Sequence, residues 1–191
     1  MKKCRSVGEL LADSGIPPKY KSCSLDSFRS GEKFVRFSRD FAEKLAAGGS
    51  GSVFLTGRCG SGKTHLAVGI LKEAQNAGFS GRALFITTPE FVADLRGTIS
   101  SNRSEKTVFD RLNRRQLVIL DDLGAGKLSE YVAQSVFLLV DRCYREEIVT
   151  ITTSNLSLEQ IDQRIDPRIA SRLSEGKIIR LDMPDFRRKR S

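Results

Sequence analysis

Five short apolar runs mark this chain, at residues 53–55, 83–86, 117–120, 148–152 and 178–181, and longer stretches of helical spacing separate them. Such runs, rich in Val, Ile, Leu and Phe and without polar alternation, predict strands covered on both faces. Strands of this kind alternating with helices predict an α/β fold, a five-stranded parallel sheet between helical layers with ligands at the carboxyl ends of the strands. Ahead of the first strand, Phe34, Phe37, Phe41 and Leu45 recur at helical spacing until Gly48-Gly49-Ser50-Gly51 stops the pattern. Upstream, Gly15, Pro17, Pro18 and Gly31 leave one short helical candidate, at 7–13, so residues 1–33 read as an arm on the surface of a domain spanning 34–191. The segment between the second and third strands holds two helical candidates, 89–100 and 104–113. The first is capped by Thr88, with Pro89 at its first position.

Composition narrows the class. The 191 residues suit one domain, and no apolar run approaches the roughly 18 residues of a membrane span. The opening Met1-Lys2-Lys3-Cys4-Arg5-Ser6 leads into a polar segment, not into the apolar region of a signal peptide, so a cytoplasmic protein with no membrane partner is expected. Cys4, Cys23, Cys59 and Cys143 form no C-x-x-C pair and read as free thiols, suggesting neither a zinc knuckle nor a disulfide framework. Lysine and arginine total 32 against 23 acids, a formal charge of +9. That excess favours a polyanion such as nucleic acid.

Chemistry concentrates directly after the first strand. Gly57-Arg58-Cys59-Gly60-Ser61-Gly62-Lys63-Thr64 fits the phosphate-binding G-x-x-x-x-G-K-[ST] loop, and a helical pattern opens behind it at His65-Leu66-Ala67-Val68. The glycines let backbone N–H groups turn inward on phosphates, Lys63 reaches the β- and γ-phosphates, and Thr64 offers its hydroxyl to Mg²⁺. His65 adjoins this nucleotide-binding stretch; as the sole histidine it reads as packing on the helix, not as a metal ligand or base. The third strand ends in Asp121-Asp122. There Asp121 can hold Mg²⁺ through its water shell, and Asp122 can orient an attacking water. The fourth strand ends in Ser154-Asn155, an amide placed to hydrogen-bond the γ-phosphate and that water. Arg168 and Arg172 share one face of a short helix after Pro167, and guanidinium groups suit phosphate oxygens. Phe109, Phe137 and Tyr144 read as core or helix-packing residues.

Together, the Gly-Lys-Thr-His-Leu-Ala loop, the Leu-Asp-Asp-Leu-Gly and Thr-Thr-Ser-Asn strand ends and the Ala-Ser-Arg-Leu helix resemble the AAA+ ATPases of the DnaC/DnaI helicase-loader and IstB transposition-helper group. The resemblance implies a P-loop NTPase sandwich with no separate helical lid, a DNA-stimulated ATPase using ATP and Mg²⁺, and a homo-oligomer assembled head to tail. It makes Asn155 the sensor-1 residue, Arg172 an arginine finger acting in trans, Arg168 a second candidate, and Arg187 a late arginine contacting nucleotide. It also implies a single-stranded DNA path along the segment after the second strand, where Arg96, Arg103, Lys106 and Arg111 would track phosphates. The partner expected on this basis is a replicative DNA helicase loaded onto single-stranded DNA. The alternatives are an IstB-like helper of a DNA transposase, which would prefer duplex DNA, and a small-molecule P-loop kinase.

Overall fold

The computed structural model describes residues 6–29, 31–102, 104–126 and 129–186. Cys4, Arg103 and Arg187 lie outside the described residues. The strands are β1 (Ser52–Gly57), β2 (Ala83–Thr87), β3 (Leu117–Leu123), β4 (Val149–Ser154) and β5 (Lys177–Leu181), in the spatial order β2-β3-β4-β1-β5. Every neighbouring pair is parallel, as the apolar runs predict. Around them lie α1 (Val7–Asp13), α2 (Glu32–Ala46), α3 (Lys63–Asn76), α4 (Thr88–Ser100), α5 (Lys106–Phe109), α6 (Glu130–Arg145), α7 (Leu158–Arg164) and α8 (Pro167–Ser174). No helix among the described residues is long and apolar enough to cross a membrane.

Alternation along the strands divides the interior into two cores. Val53, Leu55, Phe85, Leu117, Ile119 and Ile151 face one side, where Phe41, Leu45, Leu66 and Ile70 of α2 and α3 cover them. Phe54, Leu84, Ile86, Val118 and Leu120 face the other, against Phe91, Leu95, Val136, Leu139 and Ile169 of α4, α6 and α8. The arm contributes Ile16, Cys23, Leu25 and Phe28 to the first core, and the Ser14 carbonyl accepts a 2.7 Å hydrogen bond from the Phe85 N–H on β2. A sheet-edge strand is thereby partly covered by the arm.

Two local readings change. Thr87, not Thr88, caps α4: its hydroxyl accepts from the Glu90 N–H at 3.1 Å, and Glu90 accepts in return from the Thr87 N–H at 3.0 Å. Thr88 is the first helical residue, because the reciprocal exchange needs a carboxylate three positions on, which only Thr87 has. The second helix expected at 104–113 shortens to α5 and a 3₁₀ turn, Asp110–Leu112. Val108 and Leu112 are its buried anchors, and Arg114, in the left-handed region at φ 62°, turns the chain directly into β3.

Candidate active site

The strand order reverses direction at β1: the chain leaves β1 towards β2 on one side of the sheet and reaches β5 on the other. Ligands of open α/β sheets bind in the crevice beyond such a switch point. Here that crevice holds the glycine-rich loop. Gly62 sits at φ 92° as the residue before α3, and the Phe28 ring lies 2.7 Å from where its Cβ would be, so a side chain there would be both strained and obstructed. Lys63 is buried, and its Nζ donates to the carbonyls of Gly57 at 2.8 Å and Arg58 at 2.9 Å and to Asn155 Oδ1 at 2.7 Å.

The acidic pair is placed by an irregularity of β3. Leu120 pairs with Thr152 but Leu123 pairs with Ser154, so Asp121 and Asp122 together oppose the single residue Thr153. This bulge leaves the Asp121 carboxylate on Thr64 and the Asp122 carboxylate beside Asn155. It holds Asp122 at φ 61°, a left-handed backbone that costs a residue other than glycine about 1–3 kcal/mol. Thr153 stabilises the arrangement: its hydroxyl donates to Asp121 Oδ1 at 2.7 Å and accepts from the Asp122 N–H at 2.9 Å. Thr64 Oγ1 donates to the same Asp121 oxygen at 2.9 Å, and Asn155 Nδ2 lies 3.4 Å from Asp122 Oδ1. Burial raises the Asp121 pKa, against the hydrogen bonds from Thr153 and Thr64 that favour the charged form. Loop, two strand ends and helix start thus form one connected polar network, resting on a buried lysine and a buried aspartate.

A family model described as IstB-like ATP binding protein matches residues 39–175, which take in the loop, the acidic strand end and Asn155. This chain belongs to the IstB-like ATP-binding family. Among the family's relatives in sequence, the replicative helicase loader DnaC of Buchnera aphidicola subsp. Acyrthosiphon pisum is 27% identical over 184 residues, covering 91% of this chain and 72% of that protein. Among solved structures, a DnaC helicase loader superposes with a TM-score of 0.76 at 21% identity, covering 87% of this chain and all of that one. A replication initiator DnaA, bound to AMPPCP and single-stranded DNA, superposes with a TM-score of 0.72 at 21% identity over 90% of this chain and 52% of its own. The IstB-like chain therefore has the P-loop α/β fold shared by these AAA+ proteins.

Arg168 and Arg172 of this IstB-like protein make their contacts away from the loop. Arg168 and Arg172 project from α8 towards α6: Arg168 donates to Asp166 and Gln134, and Arg172 Nε and Nη2 donate to Asp141 Oδ1 at 3.2 Å. Arg96, Lys106 and Arg111 are exposed; Arg111 is paired with Asp94, and Arg96 lines a small cleft with Thr88, Pro89, Val92 and Ala125. Arg58 and Cys59 are exposed on the loop, while Cys23 and Cys143 are buried free thiols. Burial pushes the Cys143 thiol up to about 12.

Sequence reasoning passed over three features. Thr153 bridges the acidic pair; it stands two positions before Asn155, the strand spacing that puts both on one side. His65 does more than pack on its own helix: Nε2 lies 2.8 Å from the Ser24 carbonyl and 3.0 Å from Ser27 Oγ, and the ring meets Phe28 edge-on at 5.5 Å. It ties the arm to the helix that starts at the loop. Tyr144 is not a core residue: it is 45% exposed.

Proposed function

We propose that this IstB-like protein is a cytoplasmic, ATP-hydrolysing switch that binds single-stranded DNA and loads a replicative helicase. The observation that carries the reading is the network from Lys63 through Asn155 and Asp122 to Asp121 and Thr64. In this reading the loop N–H groups and Lys63 hold the β- and γ-phosphates. Asp122 and Asn155 would align a water for in-line attack, splitting ATP and water into ADP and phosphate. Thr64 and Asp121 offer hard oxygen donors 2.9 Å apart, which fits a magnesium ion held mainly by water and phosphate. Magnesium, when bound there, neutralises phosphate charge. Arg172 of a second copy, with Arg168 beside it, completes the site head to tail, so that nucleotide controls assembly. Arg187 is proposed as a further nucleotide contact. Arg96, Arg103, Lys106 and Arg111 are proposed to follow the DNA backbone, supported by the net charge of +9.

ATP turnover with and without single-stranded DNA, in the unmodified protein and in Arg172→Ala, tests the reading. Low basal turnover, stimulation by single strands, and a loss of about 10³-fold in Arg172→Ala with ATP binding retained are expected. Stimulation by duplex in preference to single strands would move the assignment to a transposase helper, in keeping with the family's IstB-like description. DNA-independent phosphorylation of a metabolite would overturn it in favour of a kinase.

A further inference from the structure

α6 and α8 meet in a repeated arrangement. The two arginines of α8 lie one helical turn apart, and beneath them two aromatic residues of α6, Phe137 and Tyr144, lie two turns apart. The Arg168 guanidinium carbon stands 4.1 Å from the Phe137 ring centroid, and that of Arg172 stands 4.4 Å from the Tyr144 centroid. Each arginine also has a hydrogen-bonded carboxylate at its side: Asp166, the residue capping α8, for Arg168, and Asp141 of α6 for Arg172. Asp141 is itself held, because its second oxygen accepts from Arg145 Nε at 2.8 Å. Glu175 lies 3.8 Å from Arg172 Nη1.

The geometry separates two jobs. A ring grips a guanidinium by its face and uses none of its five N–H donors. An acid grips by the edge and fixes direction. Arg172 has Nε and Nη2 on Asp141, while its side chain stays 32% exposed. Without the ring and the acid, this long side chain would sample many rotamers and would have to be ordered on meeting a phosphate. Tyr144 is a large apolar residue left 45% exposed, and core packing gives no reason for it there.

We propose that Phe137, Tyr144 and Asp141 form a shelf on α6 that presents Arg168 and Arg172 at a fixed spacing to phosphates bound by a second copy of this chain. Tyr144 and Asp141 are then positioning residues for Arg172. This rests on the reading of Arg172 as a group acting in trans.

A mixed assembly isolates the effect. Full-length Lys63→Ala subunits, which supply an arginine face but no working loop, are combined with Arg172→Ala subunits, which supply a loop but no arginine, so turnover arises only across the interface. Placing Tyr144→Ala or Asp141→Asn in the Lys63→Ala subunit is expected to lower kcat about tenfold, with KM for ATP and the thermal midpoint unchanged. Tyr144→Phe is expected to restore kcat, since the ring alone makes the shelf. Unchanged kcat with Tyr144→Ala, failure of Tyr144→Phe to restore it, or a rise with Asp141→Asn would overturn the shelf. Full turnover in homogeneous Arg172→Ala protein would instead overturn the trans arginine on which it rests.

Discussion

At the carboxyl ends of β1, β3 and β4, Lys63 is hydrogen-bonded to Asn155 at 2.7 Å, and Thr64 and Thr153 both donate to Asp121, at 2.9 and 2.7 Å. On α8, Arg168 and Arg172 stand partly exposed, each against a ring and an acid. In the reading proposed above both regions meet phosphate; one is buried and internally connected while the other is partly exposed. The difference follows from what each can be paired with inside the chain. A buried lysine or aspartate needs partners within the protein, or its desolvation goes uncompensated. A half-exposed arginine keeps water on one edge and remains free to take a ligand. A phosphate group entering the loop would replace protein contacts of Lys63 already made; one meeting α8 would find donors held in place.

The sharpest way to break the comparison is Lys63→Ala. It is expected to weaken ATP binding by about 3 kcal/mol, on the order of 10²-fold in Kd, measured by titration calorimetry. The carbonyls of Gly57 and Arg58 and the Asn155 amide would also lose their shared donor, so the nucleotide-free protein should melt earlier. An unchanged melting midpoint would mean that the network is not stabilised from within.

The arginine side should respond less. Asp166→Ala removes the cap of α8, whose carboxylate accepts from the Arg168 N–H at 2.8 Å. The expected cost is about 1 kcal/mol, seen as a lowering of the thermal midpoint by roughly 2–4 °C with ATP affinity unaltered.

Acid then sharpens the contrast in sign. Burial raises the Asp121 pKa, whereas hydrogen bonds from the Arg168 side chain lower that of Asp166. For Asp121 the folded state holds the proton more tightly than the unfolded one. Its contribution is therefore favourable below the ordinary carboxylate value of about 3.9 and is lost as pH rises through the raised folded value. For Asp166 the contribution is present above about 3.9 and is lost as pH falls through the depressed folded value. Denaturant melts of the nucleotide-free protein should show Asp121→Asn more stable than the parent at neutral pH, with the gap closing on acidification. Asp166→Ala should show the reverse gap, also closing in acid. Matching signs for the two variants would refute the contrast between a carboxylate dominated by burial at the loop and one dominated by its arginine at α8.

Much of the fold was legible because β1 to β4 are buried on both faces and so read as apolar runs; β5, at the sheet edge, instead leaves Lys177, Ile178 and Arg180 exposed, against the expectation of cover on both faces. The loop was legible because its glycines, lysine and threonine are neighbours in sequence. The bulge was not: Asp121 and Asp122 adjoin in the chain, but nothing in Leu-Asp-Asp-Leu-Gly states that both will oppose Thr153. Nor did Phe137 or Tyr144 announce a role, since an aromatic on an amphipathic helix reads as core by periodicity. The shift of the α4 cap from Thr88 to Thr87 is a smaller case, in which the exchange with Glu90 could have been counted from the sequence and was not.

The sequence by itself determined the strand and helix alternation, the loop that can turn its N–H groups on phosphates, and the identities of the acids, amide and arginines. These follow from spacing within a few residues, where backbone geometry leaves little freedom. Only the tertiary structure decided that Asn155 meets Lys63, that Thr153 joins the acidic pair to the loop, that His65 ties the arm to α3, and that two arginines rest on α6. Those contacts join distant parts of the chain, and they exist because β4 lies between β1 and β3 and because α6 packs on α8.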